Sequence, residues 1–160
     1  MRKVDQLFNE YGESHQTRFN KLIHYICVPA IVFSIVGLLA SIPTGGLFKG
    51  MLPDTMIGYA NFGTVLIILS MLFYLRLSLP LSIGLFFFSV FVLWGNYQIA
   101  AAGLPLWLVS TIIFVVAWVF QFIGHNHEGK KPSFLKDVQF LMVGPAWIMG
   151  FIYRKWGIKY

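Results

Sequence analysis

Residues 77–127 read LSLPLSIGLFFFSVFVLWGNYQIAAAGLPLWLVSTIIFVVAWVFQFIGHNH, 51 residues without one Asp, Glu, Lys or Arg. A membrane-spanning helix takes about 20 mostly apolar residues. This run therefore holds two, about 80–99 and 105–123, parted by the Gly103 to Pro105 break. Working outward, two more uncharged runs, 22–48 and 55–75, hold one span each, at about 24–42 and 57–75. A fourth run, 138–153, has only 16 residues with Gly144 and Pro145 inside it, and is expected to lie in the interface or fold back as a re-entrant element. Residues 4–19 form an amphipathic segment before the first span, with Val4, Leu7, Phe8 and Tyr11 at helical spacing and Gly12 interrupting it. The Pro- and Gly-rich link SIPTGGLFKGMLPD, 41–54, reads as a loop with an interfacial turn. The expected fold is a single all-α integral membrane domain, residues 1–160, of four or five transmembrane helices behind an amphipathic N-terminal helix.

Composition agrees. Hydrophobic residues make up 58% of the chain and charged ones 11%, with a mean hydropathy of +0.73. Soluble chains carry roughly 25% charged residues, so this one has too little charge to coat a water-facing surface. The polar N-terminus is too long for a cleavable secretory signal. The single cysteine, Cys27, excludes an intramolecular disulfide and any multi-cysteine metal site, and is expected as a small buried hydrophobe. The net charge of +6 marks a membrane face, not a nucleic-acid partner, because no basic stretch is long enough to track a phosphate backbone. With a cytoplasmic N-terminus, four spans put Arg2, Lys3, Arg18, Lys21, Arg76, Lys130, Lys131 and Lys136 on that side and Lys49 alone opposite, before residue 138. A short chain without tails favours a bacterial inner membrane, or the endoplasmic reticulum in a eukaryotic host.

The chain has four histidines, and all sit near the ends of spans: His15 and His24 at the start of the first, His125 and His127 at the end of the fourth. An even number of crossings separates the pairs, so all four are expected at one depth, facing the cytoplasm. Imidazole nitrogens suit iron, zinc, copper and nickel, whereas calcium and magnesium prefer oxygen. On a continuous helix His15 and His24 would face opposite ways, so they meet only if the chain bends between them; Asn20 shares a face with His24. Gly124 and Gly129 bracket the later pair and favour a non-helical backbone in which both rings point the same way. Glu128 could ligate, orient an imidazole or be solvated. Zinc with an activated water would make a membrane hydrolase. A non-enzymatic metal-binding membrane protein and a bis-histidine haem site are further readings of the same residues. Metal transport is weaker, since the spans offer only Ser, Thr, Asn and Gln at midplane.

The block YGESHQTRFNKLIHYICVP, Tyr11 to Pro29, fits a Tyr-x3-His-x4-Asn-x3-His pattern followed by proline. QFIGHNHEGKKPSF, 121–134, with VGP at 143–145, fits a second signature. Together they resemble the small membrane family typified by the fungal 2-hydroxy fatty acid dioxygenase of the endoplasmic reticulum, long catalogued as a domain of unknown function. The likeness runs from about residue 5 to 152. It implies an Fe(II)-dependent α-oxidation in which a 2-hydroxy long-chain fatty acid and O2 give a fatty acid one carbon shorter, without 2-oxoglutarate. The family's metal-binding histidines fall on His15, His24 and His125, with His127 as the fourth. Cys27 stands where many relatives are expected to have glycine. For such a substrate, Arg18, Lys21, Lys130 and Lys131 are the candidate partners of the carboxylate.

Overall fold

The computed structural model describes residues 2–129 and 140–160. Its helices are α1 (Lys3–Gly12), α2 (Arg18–Ala40), a 3-10 helix (Asp54–Tyr59), α3 (Phe62–Leu77), α4 (Leu79–Ala101), α5 (Leu106–His127) and α6 (Val143–Lys155). No strand occurs among the described residues. Lys130, Lys131, Lys136 and the first residues of the last apolar run lie outside them.

Local chemistry sets the helix ends. Thr17 caps α2 by accepting from the Asn20 N–H at 3.3 Å, and Asn61 caps α3 by accepting from Thr64 at 3.1 Å. Pro80 sits in the first turn of α4, where a missing N–H costs nothing. Gly103, at φ +75°, turns the chain from α4 into α5.

Three helices, α2, α4 and α5, are long and apolar enough to cross a membrane. The second expected span is shorter than the sequence suggested. Residues 57–59 belong to the 3-10 helix, and α3 begins at Phe62 and has 16 residues, about 24 Å of helix against a hydrocarbon core of about 30 Å. The first long helix starts earlier than the expected span, at Arg18, because the Thr17 cap draws residues 18–23, with the polar Arg18, Asn20 and Lys21, into it. Large apolar side chains cover the outside of the bundle, among them Ile26, Phe87 and Phe91. Such a surface is stable against lipid, not water.

Helix α2 is the hub. Ile23, Cys27 and Ile31 meet Ala117 of α5, while Val36 meets Ile67 of α3 and Val92 of α4. A β-carbon on Gly37 would run into the side-chain oxygens of Asn96 on α4 and Ser110 on α5, so three backbones converge there. Helix α6 does not run the length of the bundle. It starts near Val28, well inside α2, and comes out at the start of α4, where the Tyr153 hydroxyl donates to the Pro80 carbonyl at 2.9 Å. Phe8 and Tyr11 of α1 pack on α6 beside Trp147, and Arg2 donates to the Tyr160 carbonyl. Both described termini thus lie at the end of the bundle that carries the start of α2. Gly37→Leu should overpack this three-helix contact by about 1–3 kcal/mol, read as a lowered midpoint in a thermal unfolding scan in detergent.

Candidate metal centre

Three of the four histidines converge. His15 lies in the turn between α1 and α2, His24 in the second turn of α2, and His125 in the last turn of α5. The chain reverses between Glu13 and Thr17, and this bend folds the His15 ring back over α2. Ring centroids are 4.0 Å apart for His15–His24, 5.2 Å for His15–His125 and 5.0 Å for His24–His125. All three rings are buried, and one nitrogen from each lies within 4.8 Å of the others. Two nitrogens sharing one ion at about 2.1 Å are at most about 4.2 Å apart, close to the spacing seen here.

The protein orients two of these rings by the same device. His15 Nδ1 sits 2.6 Å from the Tyr11 carbonyl and His24 Nδ1 2.9 Å from the Asn20 carbonyl, each four residues back. A carbonyl can only accept, so each Nδ1 carries the proton and each Nε2 keeps its lone pair for another partner. His15 Nε2 is buried with no hydrogen-bond partner among the described residues. The His15 ring also stacks on Tyr11 at 4.3 Å and 8°. Burial lowers its pKa to about 4, so the ring is neutral, and a competent ligand, throughout the neutral range. Three buried imidazoles, His15 with an orphaned nitrogen among them, fit a divalent transition metal, and the absence of an oxygen donor among the three disfavours calcium or magnesium.

His127 is not brought to this point. The expectation of a non-helical GHNHEG stretch fails because α5 continues through His127, and at about 100° per residue two residues turn its ring away from that of His125. His127 is exposed and packs on Phe19 at 4.8 Å. Gly124 does not break the helix. It lets α5 approach α2, since a β-carbon there would strike Asn20 Oδ1 and come within 3.2 Å of Ile23. The break comes at Gly129, whose φ is +71°.

Glu128 is committed elsewhere. Its carboxylate accepts from the Gln16 N–H at 2.5 Å, the Asn20 amide at 2.7 Å, the Thr17 hydroxyl at 3.2 Å and the Thr17 N–H at 3.4 Å. Burial alone would raise its pKa, and these donors outweigh it and hold the carboxyl below its usual range. Glu128 and Asn20 therefore act as a clamp between α5 and the start of α2, with Asn20 also donating to the Ser14 carbonyl at 3.1 Å. Among the candidate cations, Lys21 is half-buried and its charge reaches His15, while Arg18 is exposed. Lys130 and Lys131 lie outside the described residues. The Trp147 ring, 5.9 Å from His15, has no signal in the sequence, whereas Tyr11 and Gln121, the latter one turn before His125, open the two quoted signatures without the spacing giving either a role.

The class is thus a helical protein with an apolar outer surface and, at one end of its bundle, a buried three-histidine group that can hold a metal ion. The chain belongs to the Mpo1-like family: the family profile described as 2-hydroxy-palmitic acid dioxygenase Mpo1-like matches residues 1–156. It is similar to the 2-hydroxy-palmitic acid dioxygenase MPO1 of Saccharomyces cerevisiae (strain ATCC 204508 / S288c), at 28% identity over 142 residues, covering 87% of this chain and 73% of that relative. No solved structure matches.

His15→Ala, His24→Ala and His125→Ala are each expected to lose bound metal by elemental analysis of the purified protein, and His127→Ala to retain it. Glu128→Ala keeps all three donors but frees the clamp, and should weaken metal affinity about 10- to 100-fold.

Proposed function

We propose that the protein is an Fe(II)-dependent dioxygenase that shortens 2-hydroxy long-chain fatty acids by one carbon. The observation that carries this reading is the burial of three imidazoles from three separate segments at one point, in a chain of this family. His15, His24 and His125 would hold the iron. Bound there, Fe(II) would supply a redox centre for the reaction with O2.

The chemistry balances without a co-reductant. A 2-hydroxy acid plus O2 gives the next shorter acid, CO2 and water. The bond between C1 and C2 breaks; C2 rises from alcohol to carboxyl, losing three electrons, and C1 leaves as CO2, losing one. The four electrons reduce O2. The protein's part is to position and to exclude water. The Tyr11 and Asn20 carbonyls keep the two Nδ1 protons in place, so the rings present lone pairs. Burial beneath Trp147 and α6 excludes bulk solvent. Lys21, at the rim, is the described cation suited to the substrate carboxylate, with the acyl chain lying among the helices. The excess of basic residues at this end of the bundle points to a cytoplasm-facing site.

Purified protein, loaded anaerobically with Fe(II), should consume O2 on addition of 2-hydroxypalmitic acid and release pentadecanoic acid in equal amount, and a chelator should abolish both. Iron bound without O2 uptake would rule out this substrate class, and refusal of iron with retention of zinc would move a hydrolase to the front.

A further inference from the structure

Beside the His24 ring the bundle encloses a cavity of about 30 Å³, walled by Val28 and Ile31 of α2, Trp118 and Gln121 of α5, Leu141 before α6, and Tyr11. Gln121 is only 6% exposed. It lies four residues before His125 and so on the same face of α5. No hydrogen bond joins its amide to another described residue, and the amide, not sealed among the walls, opens onto the cavity. A primary amide carries two donors and a carbonyl acceptor, and a buried polar group left without partners is destabilising. A leucine would pack this apolar wall without that cost. The amide therefore points to a ligand.

The cavity constrains what that ligand is. Among the described residues its lining includes no Lys, Arg, Asp or Glu, which disfavours a carboxylate or phosphate as occupant. A volume above the roughly 10–15 Å³ that one water needs admits only a group of one or two heavy atoms. Dioxygen is apolar and gains little from an amide. An alcohol carbon meets every wall: its hydroxyl donates to the Gln121 carbonyl and accepts from the amide N–H, while its carbon rests on Val28 and Ile31. Leu141 also borders a second, apolar cavity of about 50 Å³ among α2, α3 and α4, a route for the following methylenes.

We propose that Gln121 is a specificity-determining residue, which selects 2-hydroxy acids over unsubstituted fatty acids by hydrogen-bonding the 2-hydroxyl in the cavity beside His24. This rests on the 2-hydroxy fatty acid reading given above. An acid lacking the hydroxyl leaves the amide unpaired, and sites of this kind reject the unhydroxylated analogue strongly.

The test is equilibrium binding of radiolabelled 2-hydroxypalmitic and palmitic acids to the full-length protein, without oxygen so that nothing turns over. The wild type should prefer the hydroxy acid by at least about tenfold. In Gln121→Leu that preference should fall by about tenfold, with palmitic acid binding held within about threefold. An unchanged preference in Gln121→Leu would overturn the assignment. Loss of both acids would overturn it too, because Gln121 would then be supporting the bundle and not the hydroxyl. A wild type that shows no preference between the acids would instead remove the substrate reading, and this inference with it.

Discussion

The clamp between Glu128 and the start of α2 is the interaction on which the site depends. The first N–H groups of a helix have no partner within it, and a negative charge is favoured where they gather. Glu128 supplies that charge from the end of a different helix and takes the Thr17 hydroxyl and the Asn20 amide as well. His125 is three residues before it, His24 four residues after Asn20, and His15 next to Gln16. One carboxylate thus indexes all three rings. It can do so only because Gly124, lacking a β-carbon, lets α5 close on Asn20.

Burying three imidazoles among apolar helices is unfavourable unless each ring has an assigned tautomer and each nitrogen a task. The carbonyls of Tyr11 and Asn20 settle two of the tautomers from within the chain, one turn back in each case. Tyr11 serves twice, since its backbone orients the His15 ring and its own ring stacks on it. Desolvation then keeps His15 unprotonated. The cost of that burial is borne by the surrounding packing of α1 and α6, whose Phe8, Tyr11 and Trp147 cover the group.

The position of the group at the end of the bundle matters as much as its composition. Toward the middle of the bundle the walls become Val, Ile, Leu and Phe, with serine and glutamine as the polar interruptions. Helix α6 enters this interior near Val28 and leaves at Pro80, so Leu141 and Met142 lie between helices that would otherwise meet. An amphiphile can set its polar head by the histidines while its chain remains in apolar surroundings.

The long uncharged runs by themselves determined an all-helical apolar protein, because a chain with so few charges cannot cover itself in water and 3.6-residue periodicity is the form that satisfies backbone hydrogen bonds within one segment. They also put the histidines near one level, and the spaced Tyr, His, Asn and His of the first block carried the family. They could not count the crossings: whether residues 57–61 extend α3 depends on the Asn61 cap, which composition does not register. Nor could they decide which rings meet. His15 and His24 are opposed on a helix and adjacent only after the chain bends at residues 13–17, while His125 and His127 are neighbours in sequence and are turned apart by an unbroken helix. A carboxylate beside two histidines has the chemistry of a ligand, but the approach of α2 gives the Glu128 oxygens to N–H and O–H donors instead. Periodicity and charge are local and survive in the sequence, but the meeting of side chains from three segments is decided by where helices end and how closely their backbones pack.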